Sequence, residues 1–189
     1  YQVEFKIKKT ALLNPADGAV MGFNIAVNDD DGANRKSQLN WDGRPHSEYT
    51  YGEITLGGPA VVPATPVGRS QLDETKTQFA LPLETAPTID GVIDPAEWNR
   101  AAGANNNWRT FVRTVTDADG NPVQELHGGS IGDAGTVPAD DADLSYSIMA
   151  GYDADYLYVA VRVKDSTVVT DSAAEGSANG TTWMDDSVE

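Results

Sequence analysis

The chain has 189 residues, a formal net charge of -16 and no cysteine. A strongly negative charge repels nucleic-acid phosphates and anionic lipid headgroups, so we expect no nucleic-acid partner and no membrane insertion. The lack of cysteine excludes disulfides, thiolate catalysis and cysteine-based zinc sites, and no apolar run approaches the ~20 residues that cross a bilayer.

Alternating apolar and polar residues predict β-strands along most of the chain. At the beginning, Tyr1, Val3, Phe5 and Ile7 fall on one side and polar residues on the other, which is typical of a strand with one solvent-exposed face. Further strands are predicted at 21–27, 37–41, 51–56, 108–116, 144–151, 156–163 and 187–189. One helical turn is predicted at 94–98, where a capping aspartate precedes a proline. The pattern predicts an all-β chain.

Two segments between these strands have the composition of connections. Prolines and small residues dominate the segment 59–85, which predicts a semi-stiff linker, with 78–83 as an edge strand against a neighbouring sheet. The segment 116–122 contains Gly120 and Asn121 and predicts a hairpin tip. Its Asp-x-Asp-Gly spacing also resembles the opening of a calcium loop, but the other ligands of an EF-hand are missing.

Three segments in the second half of the chain carry a family resemblance. The segment 86–98 contains Pro-x-Ile-Asp-Gly followed by Asp-x-x-x-Trp, 152–165 places an aspartate turn before a Tyr-Leu-Tyr-Val strand, and 183–189 reads Trp-x-x-Asp-Ser-Val-Glu. In this order they resemble the front part of family 9 carbohydrate-binding modules. Near the beginning of the chain, 22–29, Trp41 and 51–56 are similar to the closing strands of the same family.

The resemblance implies an antiparallel β-sandwich of immunoglobulin or jelly-roll type, made of two incomplete modules. Residues 1–58 would be the C-terminal portion of a first module, 59–85 a Pro-rich linker, and 86–189 the N-terminal portion of a second module. Because both ends of the chain fall inside predicted strands, an excerpt from a longer tandem protein is favoured. The alternative is a permuted or strand-exchanging assembly, in which the back of one module completes the front of another.

The resemblance also implies a sugar-binding site. In the family two tryptophans sandwich a sugar while polar side chains bind its hydroxyl groups, and Trp183 and Glu189 stand at two of these positions. The alternative is that Trp183 closes a loop over the core and Glu189 is a solvent-facing strand residue. In residues 1–58, Ala26 stands where the family has a sugar-binding glutamine. His46 or Tyr49 would have to take the place of the second tryptophan of the family.

The family binds structural calcium, and acidic loops in this chain fit that expectation. The candidate ligands are Asp90, Asp94, Asp165 and Asp29. Each of them is also suited to a turn or a cap, and acidic clusters are commonly a solvated surface. The remaining tryptophans Trp41, Trp98 and Trp108 are expected in the core.

No catalytic motif accompanies these residues, since no acid pair stands in a recognisable glycosidase motif and only His46 and His127 could assist a serine nucleophile. We expect a non-catalytic, extracellular or cell-surface protein that binds oligo- or polysaccharides. The resemblance is also compatible with a glycoside hydrolase domain elsewhere in the parent polypeptide. One alternative is a structural or adhesive scaffold that assembles with itself or with neighbouring modules. Another is a haem-binding sandwich, for which Met149 and Met184 are available without a histidine in a matched position.

Overall fold

A computed structural model describes residues 1–32, 35–41, 51–57, 77–98, 111–126, 130–170 and 184–189. The strands are β1 (Gln2–Lys8), β2 (Val20–Phe23), β3 (Ala26–Asp30), β4 (Arg35–Asn40), β5 (Gly52–Leu56), β6 (Thr77–Pro82), β7 (Val112–Thr116), β8 (Pro122–Leu126), β9 (Ser130–Gly135), β10 (Leu144–Tyr152), β11 (Tyr156–Asp165) and β12 (Ser187–Val188). The 3-10 helix Lys9–Leu12 follows β1, and the described ranges contain no α-helix. The all-β class is confirmed, with curled sheets consistent with a β-sandwich. In the same ranges, no helix has the length and apolar character of a membrane span.

The chain divides into two compact units. The first unit consists of Tyr1–Phe23, Gly52–Trp108 and Ser147–Arg162, and the second of Asn24–Tyr51, Arg109–Tyr146 and Val163–Glu189. Strands β10 and β11 contribute residues to both units.

The first unit contains the larger sheet, whose strand order is β1-β11-β10-β6-β5-β2. Strand β1 pairs antiparallel with β11 from Gln2↔Arg162 to Lys8↔Tyr156. Strand β6 is parallel to both of its neighbours, so this sheet is mixed. The strand predicted at 78–83 therefore exists but lies inside the sheet, not at its edge. Pro82 is the last residue of β6, so its missing N–H group affects only the end of the strand.

A cluster around Trp98 forms the core of the first unit. Ile93, Trp98, Met149, Tyr158 and Ala160 are buried together. As predicted, 94–98 forms a turn, in which the backbone oxygen of Asp94 accepts hydrogen bonds from the backbone N–H groups of Glu97 and Trp98 at 3.1 and 3.0 Å. Trp98 is 1% exposed, which confirms its predicted core position.

The carboxylate of Glu4 ties this segment to β1. Glu4 accepts the indole N–H of Trp98 at 2.9 Å and the backbone N–H groups of Asp90 and Gly91 at 3.1 and 2.8 Å. One acidic side chain therefore satisfies three donors and fixes the segment that precedes Trp98.

The second unit contains a four-stranded sheet in the order β12-β3-β4-β9 and the hairpin β7-β8. All three pairings of the four-stranded sheet are antiparallel. The hairpin tip is where the sequence predicted it, with Gly120 at φ +85°. Asp117 Oδ1 accepts the backbone N–H groups of Asp119 and Asn121 at 2.9 and 2.8 Å, so this carboxylate serves the turn.

Segments from both predicted modules share the sheets. Strand β1, from residues 1–58, pairs with β11, and β12, from residues 86–189, pairs with β3. Of the predicted linker 59–85, residues 59–76 lie outside the described ranges, and 77–82 form β6. The assignment of the two segments to two modules stays a prediction.

Replacing Trp98 by alanine should destabilise the protein by about 3–5 kcal/mol, because it opens a cavity in the core and leaves the Glu4 carboxylate without its indole donor. Urea denaturation followed by circular dichroism measures the free energy of unfolding. Leu13→Ala is the control, since Leu13 is 95% exposed. Equal losses in the two variants would contradict the core assignment.

Candidate functional site

The four-stranded sheet buries polar side chains on both of its faces. The buried polar residues of β3 and β4 are Asn28, Asp29, Asp30, Ser37, Gln38 and Asn40. The register places Val27 opposite Leu39 and Asp29 opposite Ser37 on one face. Asn28 opposite Gln38 and Ala26 opposite Asn40 belong to the other face, which we call the amide face. Buried polar groups are costly unless they are paired, so both faces require an explanation.

Three carboxylates meet at the face that carries Asp29. One oxygen from each of Asp29, Asp165 and Asp186 lies within 4.8 Å of the others, and we call this group the carboxylate cluster. Asp29 belongs to β3, Asp165 is the last residue of β11, and Asp186 immediately precedes β12. The cluster forms because β12 pairs with β3, at Ser187↔Asn28.

Hydrogen bonds fix each carboxylate, but two of the carboxylate oxygens receive no hydrogen bond from the described residues. Asp186 Oδ1 accepts the backbone N–H of Asp30 at 2.8 Å, and its Oδ2 accepts that of Val169. Asp165 Oδ1 accepts the backbone N–H of Thr167 at 2.8 Å, and Asp29 Oδ2 accepts the Ser37 hydroxyl at 2.5 Å. Among the described residues no donor reaches the buried atoms Asp29 Oδ1 and Asp165 Oδ2.

The cluster is electrostatically strained. Burial raises the pKa of Asp165 to about 7, repulsion from Asp186 and Asp29 adds to the effect, and the Thr167 hydrogen bond opposes it. Burial also raises the pKa of Asp29 and of Asp186. Lys36 relieves little of this, because its ammonium group pairs with Asp31 and lies 3.7 Å from Asp143.

This donor set fits a calcium ion. Calcium binds carboxylate oxygens in flexible geometry, and the two oxygens without donors are buried at the meeting point of three negative side chains. A cation there would pair those oxygens and offset the repulsion. Asp29 and Asp165 were candidate ligands from the sequence, whereas Asp186 was not singled out. Its place beside Asp185, in the Trp-x-x-Asp-Ser-Val-Glu motif, was the available signal.

The other two acidic candidates do not join this cluster. Asp90 and Asp94 belong to the first unit and are exposed. Asp90 Oδ1 accepts the backbone N–H of Val92 at 2.9 Å, and Asp94 Oδ1 accepts that of Ala96 at 2.8 Å. Both carboxylates therefore act as local turn caps.

Of the residues predicted to bind sugar, the structure describes Glu189. It is exposed, and it exchanges backbone hydrogen bonds of 2.8 and 3.0 Å with Ala26. Trp183, Tyr49 and His46 lie outside the described residues, as does Trp108. Trp41 is 4% exposed and is a core residue, as predicted.

A comparison with protein families bears on the segment that contains β3, β4 and β5. Residues 1–58 match the family described as carbohydrate family 9 binding domain-like. The match confirms the resemblance seen at 22–29 and 51–56, and it indicates carbohydrate binding in general. Modules of the family 9 kind are typically non-catalytic and commonly extracellular. Searches of curated proteins and of solved structures gave no match.

The raised pKa of Asp165 makes the stability of the protein depend on pH when cations are removed. The folded state holds this proton up to about pH 7, whereas the unfolded chain releases it near the ordinary value of 3.8. The stability that the bound proton contributes is therefore fully present below about pH 4 and is lost as the pH rises through about 7. Thermal unfolding in a chelator between pH 5 and 8 should show a falling melting temperature.

Asp165→Asn is the test of this assignment, because an amide cannot titrate. We expect a flatter pH profile in this variant than in the unmodified chain. Profiles of equal slope would show that another group causes the pH dependence.

Proposed function

We propose that the chain is a non-catalytic carbohydrate-binding domain that stacks a sugar on Trp183, binds its hydroxyl groups with Glu189, and targets a polysaccharide-degrading or cell-surface protein to glycans. The observation that carries the proposal is the pairing of Glu189 with Ala26. Through this pairing Glu189, a predicted sugar-binding residue, joins the sheet that contains strands of the segment 1–58, which matches the family.

The chemistry of sugars supports these roles. A sugar ring presents weakly apolar C–H faces, which suit an aromatic side chain, and a rim of hydroxyl groups, which suits a carboxylate or an amide. Trp183 precedes Glu189 by six positions in one short segment. Asp186 anchors this segment through the backbone N–H groups of Asp30 and Val169, which supports a fixed position for Glu189.

Burial of the carboxylate cluster supports a non-catalytic role. A glycosidase needs an acid and a second carboxylate on either side of an accessible glycosidic bond. Asp29 is 0% exposed and Asp186 is 8% exposed, and each accepts hydrogen bonds from its own chain. This arrangement suits ligation of a small ion better than contact with a polysaccharide.

We also propose a structural calcium ion, with Asp29, Asp165 and Asp186 as ligands. A bound cation would supply charge neutralisation between β3, the end of β11 and the segment before β12. Because that last segment leads directly to Glu189, the same ion would stabilise the proposed sugar site.

Sugar binding is tested by titration calorimetry with xylan, cello-oligosaccharides and monosaccharides. We expect Trp183→Ala and Glu189→Gln each to weaken binding about tenfold or more, the equivalent of ~1.4 kcal/mol. Glu53→Gln is the control for the carboxylate, since Glu53 is exposed on β5 of the other unit.

If no sugar binds, the proposal fails. Concentration-dependent assembly of such a silent protein would instead support the structural or adhesive scaffold. A Soret band after haem addition would favour the haem-binding alternative. The packing of Met149 argues against that alternative, because this residue is buried among the side chains of the Trp98 cluster.

Calcium should raise the melting temperature of chelator-treated protein, because a ligand that binds the folded state alone at about 100 times its Kd adds ~2.7 kcal/mol of stability. Asp29→Asn should lose this response and, by relieving repulsion, melt no lower than the unmodified chain without calcium. Asp119→Asn, at the exposed hairpin tip, is the control. An unchanged calcium response in Asp29→Asn would exclude the carboxylate cluster as the site.

A further inference from the structure

Strand β1 forms one edge of the six-stranded sheet in the first unit. It pairs with β11 on one side, and no described strand pairs with it on the other. In the described part of the chain it is the longest edge strand, with seven residues. Gln2, Lys6 and Lys8 are exposed along it. An edge of this kind presents a row of backbone N–H and C=O groups that can pair with a further strand.

The backbone groups of alternate β1 residues point away from β11. The Lys9 N–H donates to the Asp155 oxygen at 2.8 Å, which continues the register of the two strands by one residue. The backbone oxygen of Tyr156 accepts the N–H of Asp153 in the turn from β10, so Tyr156 bonds to the β10 side. Residues of an antiparallel pair alternate in this respect. The odd-numbered residues of β1 therefore bond to β11, and the backbone groups of its even-numbered residues point to the open edge.

The apolar side of β1 is only partly covered. Val3, Phe5 and Ile7 are half-buried, whereas the β11 residues opposite them are fully buried. Those opposite residues are Val161, Val159 and Leu157. Burial of apolar side chains therefore decreases from β11 to β1. A further strand beside β1 would remove more of this apolar surface from water.

A second copy of β1 is complementary to this edge when the two strands run antiparallel about a two-fold axis at Phe5. The resulting pairs between copies are Phe5 with Phe5, Val3 with Ile7, Glu4 with Lys6 and Gln2 with Lys8. Apolar residues meet on one face and opposite charges on the other, and both kinds of pair stabilise adjacent strands. The even-numbered residues, whose backbone groups point outward, are the ones that would exchange hydrogen bonds.

Other registers of the same two strands fit less well. An axis at Glu4 or at Lys6 places like charges directly opposite each other, which is destabilising. An axis at Ile7 places Lys6 opposite Lys8, and an axis at Val3 overlaps only residues 2–4 of β1. An axis between two residues would set outward-pointing backbone groups against inward-pointing ones. The axis at Phe5 combines a full overlap with opposite charges.

The local charge of β1 also favours a second copy at this place. The net charge of -16 repels another copy in general, whereas Lys6, Lys8 and Lys9 lie within four positions of each other. Lysines on an edge strand commonly prevent pairing with other strands. In the register about Phe5, however, Lys6 faces the carboxylate of Glu4.

We propose that two copies of the chain associate by antiparallel pairing of β1 about a two-fold axis at Phe5, which joins their six-stranded sheets into one continuous sheet. The same patch is used on both copies, so the assembly closes as a dimer. A single pair of short strands is a small interface, and we expect a transient dimer. The dimer goes beyond the carbohydrate-binding function proposed above and does not depend on it.

Sedimentation velocity of the whole chain, from about 1 μM to about 1 mM, measures the dissociation constant of the dimer. We expect Lys6→Glu to weaken dimerisation about tenfold or more, because it places two carboxylates opposite each other in both symmetric pairs. Lys164→Glu makes the same charge change at an exposed residue of β11 that does not pair with β1. This control should dimerise like the unmodified chain.

Gln2→Glu should have the opposite effect and tighten the dimer about threefold or more, because it places a carboxylate opposite Lys8 in both copies. The Gln2 side-chain oxygen accepts the backbone N–H of Ile93 at 2.8 Å, and a carboxylate can keep this bond. Both Gln2→Glu and Lys6→Glu make the chain more negative. General repulsion between copies would therefore weaken the dimer in both variants, whereas the proposed register separates them.

The register has a direct chemical test, because the chain contains no cysteine. Phe5→Cys would place two thiols across the axis, where the Cα atoms are about 4.5 Å apart and a disulfide can form. Ile7→Cys is the matched control, since the two copies of this position would lie about 13 Å apart along the strands. We expect mild oxidation to cross-link Phe5→Cys alone, measured by non-reducing electrophoresis.

Three results would overturn the proposal. They are a chain that stays monomeric at about 1 mM, a dimer that Lys6→Glu leaves unchanged, and equal cross-linking of Phe5→Cys and Ile7→Cys. Circular dichroism shows whether each variant is folded. If Phe5→Cys does not fold, the opposite effects expected of Lys6→Glu and Gln2→Glu, both at exposed positions, decide the question.

Discussion

The antiparallel pairing of β3 with β4 and β12 is the constraint on which the candidate sites depend. Successive residues of a strand point to opposite faces, so this register assigns Asp29 to the carboxylate cluster and Asn28 to the amide face. A shift of one residue would exchange the two faces and separate every pair that builds them. The hydrogen bonds from Ser37 to Asp29 and from Gln38 to Asn28 hold the register with side chains as well as backbone.

This sheet buries polar groups where most proteins bury apolar ones. Two carboxylate oxygens of the cluster receive no donor in the described part of the chain, and Asn40 on the other face has no partner there either. Buried polar groups without partners lower the stability of the folded state. Such groups are commonly found at functional sites, where they bind an ion or a ligand. An apolar pair adds hydrophobic stabilisation to the same sheet, since Val27 is opposite Leu39 and both are fully buried.

The strands that build the sites come from distant parts of the chain. Asp29 and Ala26 lie in the segment that matches the family, whereas Asp186 and Glu189 lie at the other end. Pairing of β12 with β3 joins them inside the second unit, and pairing of β1 with β11 joins the same two parts of the chain inside the first. Closing such long loops costs conformational entropy, which the many backbone hydrogen bonds of the paired strands offset.

Local pattern in the sequence determined the all-β class, most strand positions, the hairpin tip and the burial of Trp41 and Trp98. These features depend on alternation, turn residues and side-chain size, which act within a few residues. The sequence motifs also indicated Asp29, Asp165 and Glu189 as individual candidates. Tertiary structure alone decided that β6 lies inside its sheet, that Asp186 completes the carboxylate cluster while Asp90 and Asp94 cap turns, and that Glu189 lies opposite Ala26. Each of these depends on which strands pair and in what register, and residues more than a hundred positions apart leave no local signal of that pairing.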